Sequence, residues 1–221
     1  MTDRLTAAQR DALDALAGLS PPFSLTGGAA LAAVYLGHRA TRDLDLFFHD
    51  LAALGRLPEE AAHRLREGGF EAQVQERFAT FSRILARRGG EVVVVDLVAD
   101  PVPTLEPPVE QRIGRELVHV DTLREIMANK LCALLGRSEL RDLVDLRALL
   151  ARGHSLPPAL GDASKKDSGF SPLQLAWALR GFPVAKVAKA EGLADPEVAD
   201  LERFRSELIE ELLRQTTPSA T

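Results

Sequence analysis

The amino-acid sequence predicts an α/β (α+β) fold in which a mixed β-sheet flanked by helices is followed by a helical C-terminal part. Three observations lead there. Short strand-like runs punctuated by glycine pairs recur between Phe23 and Val98. From Thr122 onward the apolar residues recur at helical spacing instead. Between the two stretches lies Pro101–Pro108, PVPTLEPP, which can neither continue a helix nor sit in a central strand and so marks a boundary. The expected division is a core over residues 1–120 and a helical region over residues 121–221 that completes the site.

The elements follow in order. A helix is expected from Thr6 to Leu16, then a short strand over Phe23–Thr26. Gly27-Gly28 reads as a turn able to take positive φ, and Ala29–Leu36 as a helix of good formers ended by Gly37. The next strand is read with Arg39, Thr41, Asp43 and Asp45 at alternating positions and runs to Phe48. Leu51–Glu67 reads as a helix interrupted at Pro58 and ended by Gly68-Gly69. Strands are predicted over 70–76, 78–87 and 91–98, the last two joined by a hairpin-like turn at Arg88-Gly89-Gly90, with Arg115–Val120 as a further short strand. Thr122 and Glu125 have capping-box spacing, so a helix starts near Leu123, and a second begins near Ser138 after Gly136. Residues 153–172 read as a long polar loop, mobile or facing substrate, before helices over 173–179, 183–191 and 195–213 and a frayed tail from Thr216.

The chemistry concentrates between Leu25 and Phe48, LTGGAALAAVYLGHRATRDLDLFF. Strand side chains alternate between faces, so Asp43 and Asp45 share one face while Leu44, Leu46 and Phe48 share the other. Side-by-side carboxylates repel, and a divalent cation such as Mg²⁺, which prefers oxygen ligands, relieves the repulsion. Alternatively both acids line the wet face of an edge strand. The upstream residues favour the metal. Backbone N–H groups in the Gly27-Gly28 turn and at the following helix N-terminus attract phosphate, Arg39 offers a guanidinium fork, and Thr41 a hydroxyl. A third carboxylate comes from EVVVVDLVAD, whose valine run argues for a strand buried on both faces and whose Asp96 interrupts it. A charge there is costly unless paired or coordinated. Beside the Asp43/Asp45 strand it brings three carboxylates to one point; at the strand's solvent end it would not.

In the helix after Thr122, Lys130 stands where the apolar period asks for a hydrophobe. Its ammonium either snorkels to solvent or reaches a cleft where it neutralises a triphosphate. In the next helix Asp142 and Asp145 lie one turn apart. Asp142 suits a substrate-positioning role and Asp145 a structural one, and either acid can ion-pair with Lys130, or Asp145 with Arg141.

Gly27-Gly28, then Arg39-x-Thr41-x-Asp43-x-Asp45-Leu46-Phe47, then Asp96 after valines, resembles the DNA polymerase β-like nucleotidyltransferase superfamily. Lys130-LCALLG-Arg137-SEL-Arg141-Asp142-LV-Asp145-Leu146 resembles the signature of its AbiEii/AbiGii branch, the nucleotidyltransferase toxins of toxin–antitoxin and phage-defence systems. The resemblance spans residues 25–149. It implies the nucleotidyltransferase fold and Mg²⁺-dependent transfer of a nucleoside monophosphate from an NTP to an acceptor, an RNA such as the 3′ end of tRNA, with an antitoxin as protein partner. In these terms Asp43, Asp45 and Asp96 hold metal, with Asp96 alternatively the base for the acceptor hydroxyl. Gly27, Gly28, Arg39, Thr41 and Lys130 bind the nucleotide, and Asp142 supports catalysis. Many relatives carry Ser where this chain has Gly28, which removes one hydroxyl contact to the terminal phosphates. Two other functions fit the same residues: transfer to a small molecule or a protein hydroxyl, and a non-catalytic NTP- or partner-binding module.

Composition narrows the classes. The 221 residues are 46% hydrophobic and 27% charged, as in ordinary globular proteins. The single cysteine, Cys132, excludes an intramolecular disulfide and a Cys-rich zinc site. A net charge of −5 counts against a dedicated nucleic-acid binder but not against an enzyme that grips an RNA end. The N-terminal stretch is charged and helical, not signal-like, and no apolar run approaches membrane-spanning length, so a cytoplasmic location is expected.

Overall fold

The computed structural model of the chain describes residues 4–50 and 54–216. It divides into two compact units, Met1–Ile126 and Met127–Thr221.

The first unit is built on one seven-stranded mixed sheet. Its strands are β1 (Ser24–Thr26), β2 (Asp43–Phe48), β3 (Glu71–Arg77), β4 (Phe81–Arg88), β5 (Glu91–Ala99), β6 (Val109–Ile113) and β7 (Glu116–Val120), in the spatial order β3-β4-β5-β2-β1-β7-β6. Two pairings are parallel, β2 with β5 and β1 with β7; the others are antiparallel. One face of the sheet is apolar. Leu25, Leu44, Leu46, Phe48, Val95, Leu97 and Ile84 are fully buried there. Helices α1 (Ala7–Leu16) and α3 (Leu57–Glu67) pack on strands of this sheet through Leu13, Leu16, Ala61 and Leu65, which are also fully buried. Thr6 caps α1 in a complete capping box with Gln9.

The segment after β1 differs from the expected glycine turn and following helix. Gly27 itself opens the four-residue helix α2 (Gly27–Ala30), with φ of +61°, and the chain then widens into a π turn over Leu31–Tyr35, closed by bonds from the Leu36 and Gly37 N–H groups to the Leu31 carbonyl at 2.8 and 3.0 Å. The following strand begins at Asp43, so Arg39 and Thr41 sit in the connection before it and not in the strand. The expected helix from Leu51 starts only at Leu57: residues 51–53 lie outside the described part, residues 54–56 form a turn, and Pro58 stands in the first helical turn, where its missing N–H has no intrahelical role. Strand β6 was not among the predicted strands; it pairs with β7 across a turn in which Gly114 has φ of +72°.

The second unit is helical. Helix α4 (Leu123–Arg137) enters it, followed by α5 (Leu140–Ala151), α6 (Leu156–Lys166), α7 (Pro172–Gly181), α8 (Val184–Ala190) and α9 (Asp195–Thr216). Helix α9 packs along α7, α8 and α5, burying Leu175, Leu179, Val184, Leu201 and Leu212. Helix α6 corrects the long-loop reading. Pro157-Pro158 fall in its first turn after Ser155, and Lys165 and Lys166 in its last turn complement the helix dipole. The expected tail from Thr216 falls, beyond that residue, outside the described part. Among the described residues no helix is long and apolar enough to cross a membrane.

Candidate active site

The face of the sheet opposite the apolar core carries the polar residues, and strand register fixes their order. Asp45 pairs with Thr26 of β1 on one side and with Asp96 of β5 on the other. Asp96 pairs in turn with Arg83 of β4, and Arg83 with Glu76 of β3. Partners in register share a face, so Glu76, Arg83, Asp96, Asp45 and Thr26 form one charged and polar row across five strands. Asp43 lies two residues back on the same face of β2, half-buried like Asp45. The row extends at the β7 end to Asp121, whose N–H donates to the Leu25 carbonyl at 3.0 Å. Asp121 is buried, and burial pushes its carboxyl above the usual range despite the nearby Thr26 and Ser24 hydroxyls.

Next to this row the glycine pair is fitted to its neighbours. A Cβ on Gly27 would stand 2.8 Å from Asp45 Oδ2, at a φ of +61° that disfavours any side chain. A Cβ on Gly28 would stand 2.7 Å from Arg39 Nη2 and 3.3 Å from Thr41 Oγ1. The two glycines thus bring backbone against Asp45 and against the Arg39/Thr41 pair. Gly27, Gly28, Arg39, Thr41, Asp43 and Asp45 lie close together, Arg39 and Thr41 through the connection before β2 and not through strand alternation.

Asp96 joins them by register but is already engaged. Arg83 donates to both of its oxygens, from Nε to Oδ1 at 2.8 Å and from Nη2 to Oδ2 at 2.7 Å. This fork holds the Arg83 guanidinium more firmly protonated than usual, with weaker help from Glu76 and Asp43. Arg83 is the residue that sequence reading missed. An arginine on an alternating strand looks like any solvated basic residue until the register sets it opposite the one acid inside the valine strand.

The donor chemistry suits a hard divalent cation, since Asp43 and Asp45 offer carboxylate oxygens beside the Gly27-Gly28 backbone. Two protein carboxylates are a sufficient protein contribution for Mg²⁺, which takes its other ligands from water and substrate phosphate. Among the described residues no three His, Cys, Asp or Glu side chains are grouped to hold an ion by themselves. Asp96 has both of its oxygens on Arg83.

In the second unit Lys130 does not snorkel. It is buried, with Nζ 2.7 Å from Asp142 Oδ1 and 2.8 Å from Asp145 Oδ2, and both acids are fully buried. Arg137 adds a fork to Asp142 at 2.9 and 3.2 Å. Burial raises the Asp142 carboxyl, but the Lys130 charge and the Arg137 and Lys130 hydrogen bonds outweigh it and leave the pKa below its ordinary value. Arg141 donates to Glu139 at 2.6 Å.

Comparison with known proteins identifies a family and similar folds. Residues 11–217 match the family described as nucleotidyl transferase AbiEii toxin, type IV TA system. The fold is similar to that of JHP933 from Helicobacter pylori, with a TM-score of 0.56 at 19% identity over 95% of this chain and 92% of that one. It is similar also to MenT4, a nucleotidyltransferase toxin from Mycobacterium tuberculosis H37Rv, with a TM-score of 0.57 at 20% identity over 95% of this chain and 91% of that one. A putative nucleotidyltransferase from H. pylori gives a TM-score of 0.53 at 19% identity, over 95% of each chain. The curated proteins contain no match to the sequence. With nearly its whole length matched, the chain belongs to the AbiEii family of nucleotidyltransferase toxins of type IV toxin–antitoxin systems.

Proposed function

We propose that this nucleotidyltransferase moves a nucleoside monophosphate from an NTP to a hydroxyl of an RNA acceptor, with the 3′ end of tRNA the first candidate, using Mg²⁺ and under the restraint of an antitoxin. The observation that carries the reading is the register that sets Thr26 and Gly27, Asp45 and Asp96 side by side across three strands.

Asp43 and Asp45 would hold the ion, which when bound neutralises phosphate charge and orients the α-phosphorus. The N–H groups of Gly27 and Gly28 and the Arg39 fork would receive the β- and γ-phosphates. The acceptor oxygen bonds to the α-phosphorus as the bond to the β-phosphate oxygen breaks. Pyrophosphate leaves on the glycine side, and the hydroxyl proton passes to solvent or to a carboxylate on the acceptor side. Such transfer is chiefly a matter of positioning and electrostatics. With both oxygens on Arg83, Asp96 enters this reading as the group that fixes the guanidinium at the acceptor side; serving as base or as ligand to a second ion requires it to release that guanidinium. Lys130 and Asp142 keep the roles the resemblance implies, charge balance for the triphosphate and support of the nucleotide site.

The test is incubation of the purified chain with Mg²⁺, each radiolabelled NTP in turn and total tRNA, with Asp43→Asn as control. Label in RNA with the wild type alone supports the proposal and names the nucleotide. Label in protein or in a small molecule replaces the acceptor, and wild-type turnover by Asp43→Asn or Asp45→Asn removes the metal assignment.

A further inference from the structure

A second row runs beside the charged one on the same face of the sheet. Phe81 pairs with Val98, Val98 with Phe47, and Phe47 with Ser24, so an aromatic and aliphatic strip adjoins Arg83, Asp96 and Asp45 one step along each strand. Its outer end is the tight hairpin between β3 and β4, where the Phe78 N–H donates to the Phe81 carbonyl at 2.7 Å. Phe78 is 64% exposed. A lone exposed ring is unremarkable. This one is stacked on Phe81, with centroids 6.3 Å apart and planes at 29°. The Arg83 guanidinium lies 5.5 Å from the Phe81 ring centroid, gripped by Asp96 through Nε and Nη2 and with Glu76 Oε1 3.8 Å from Nη1. From Asp45 to Phe78 the face therefore passes from carboxylate through a fixed guanidinium to two stacked rings.

We infer that the Phe78–Phe81 hairpin with Arg83 is the platform for the single-stranded 3′ end of the acceptor RNA, the rings stacking its last bases and the solvent side of the guanidinium meeting a backbone phosphate. The inference rests on the reading of the chain as an RNA nucleotidyltransferase. Side decides which substrate the platform serves. The glycine cradle lies on the β1 flank of Asp45, and the hairpin on the β5 flank. In-line transfer needs the attacking oxygen opposite the leaving pyrophosphate, so the flank that does not cradle phosphate receives the acceptor. Two strand spacings separate Asp45 from Arg83, and Phe81 lies two residues further along β4, so the ring is on the order of 12 Å away, within reach of a nucleotide or two. The chemistry suits a base and its phosphate. Rings accept any base by stacking, and an arginine prefixed by Asp96 binds phosphate with little ordering cost. Arg83 and both rings are thus acceptor-binding residues.

The experiment uses the full chain. A short labelled single-stranded RNA with a free 3′-hydroxyl is titrated by fluorescence anisotropy onto the Asp43→Asn protein with and without Phe78→Ala, and acceptor and NTP kinetics are measured on the same substitutions in the active chain. Phe78 is exposed at a turn, so Phe78→Ala should fold normally, and Phe78→Trp should keep the stacking surface. Loss of one stacked base predicts RNA affinity weakened roughly 5- to 150-fold, with a matching rise in acceptor KM, unchanged KM for NTP, and retention in Phe78→Trp. Wild-type transfer to RNA that Phe78→Ala leaves untouched overturns the platform and spares the RNA reading. Absence of any transfer to RNA by the wild type, with label in a protein or small molecule, overturns both.

Discussion

Replacing Lys130 by methionine tests how the second unit is held together. The substitution keeps the length and apolar stem of the side chain and removes one charge from between two carboxylates, each within 2.8 Å of it and each fully buried. Asp142 retains its Arg137 fork, whereas Asp145 loses an ion-pair partner. Removing one member of a buried pair typically costs about 3–5 kcal/mol, because the remaining charge is left desolvated. For a chain of this size that corresponds to a fall in Tm on the order of 10 °C. The deficit should depend on pH with a definite sign. In the wild type the Asp142 carboxyl is held below its ordinary value, so its contribution is complete above the unfolded pKa and is lost only as pH falls through the lower folded one. Without Lys130 burial still raises the Asp142 carboxyl and only the Arg137 fork opposes it, so its folded pKa moves up and the deficit of the variant should shrink as pH falls towards the carboxylate range. Urea unfolding followed by circular dichroism at several pH values measures both effects, and Lys130→Met with Asp145→Asn should regain most of the loss. A Lys130→Met protein within about 1 kcal/mol of wild type at every pH would refute the reasoning, since exposed ion pairs contribute no more than that. The same numbers bear on catalysis: a lysine that serves a triphosphate must leave two buried carboxylates to do so.

Gly27→Ala should lose turnover out of proportion to stability. It forces a side chain into the left-handed region, at about 1–2 kcal/mol, and drives its Cβ against Asp45 Oδ2, while Gly28→Ala meets only the movable tip of Arg39 and the Thr41 hydroxyl and should be milder. Tm and turnover on both variants check this, and wild-type turnover in Gly27→Ala would remove the cradle. Asp96→Asn should leave divalent-ion affinity nearly unchanged, measured by titration calorimetry, and raise the acceptor KM because Arg83 loses its fork. A loss of ion affinity of about tenfold, equivalent to about 1.4 kcal/mol, would instead make Asp96 a ligand.

Much of the site was legible in the chain because its chemistry is local. Asp43 and Asp45 sit on the polar face of a strand whose other side is Leu44, Leu46 and Phe48, and alternation alone gives that. Asp96 stood out as a charge in a valine run, and the structure places it beside Asp45. The Arg83 fork was not legible because it is a relation between strands, and nothing in FATFSRILAR says which residue faces which on the neighbouring strand. Proline misled twice. In the stretch after Gly153 and at Pro58 it was read as a breaker, yet each of these prolines sits in a first helical turn, where its ring geometry is favourable. Arg39 and Thr41 were given strand alternation that they lack. Their closeness to Gly28 comes from the connection folding back over the turn, which no periodicity encodes.

The two parallel pairings have a consequence in time. Asp45 and Asp96 belong to strands whose register partners lie some fifty residues apart in the chain, and β1 gains its other neighbour only when β7 has been made. A nascent polypeptide that stops before β5 holds Asp43, Asp45 and the glycine pair, yet has no strand to set Asp96 beside them. Distant pairing of this kind is also slow to form relative to local hairpins and helices. The pairing that sets Asp96 beside Asp45 can therefore form only once the chain has been made through Ala99, and the sheet is complete only once β7 reaches Val120.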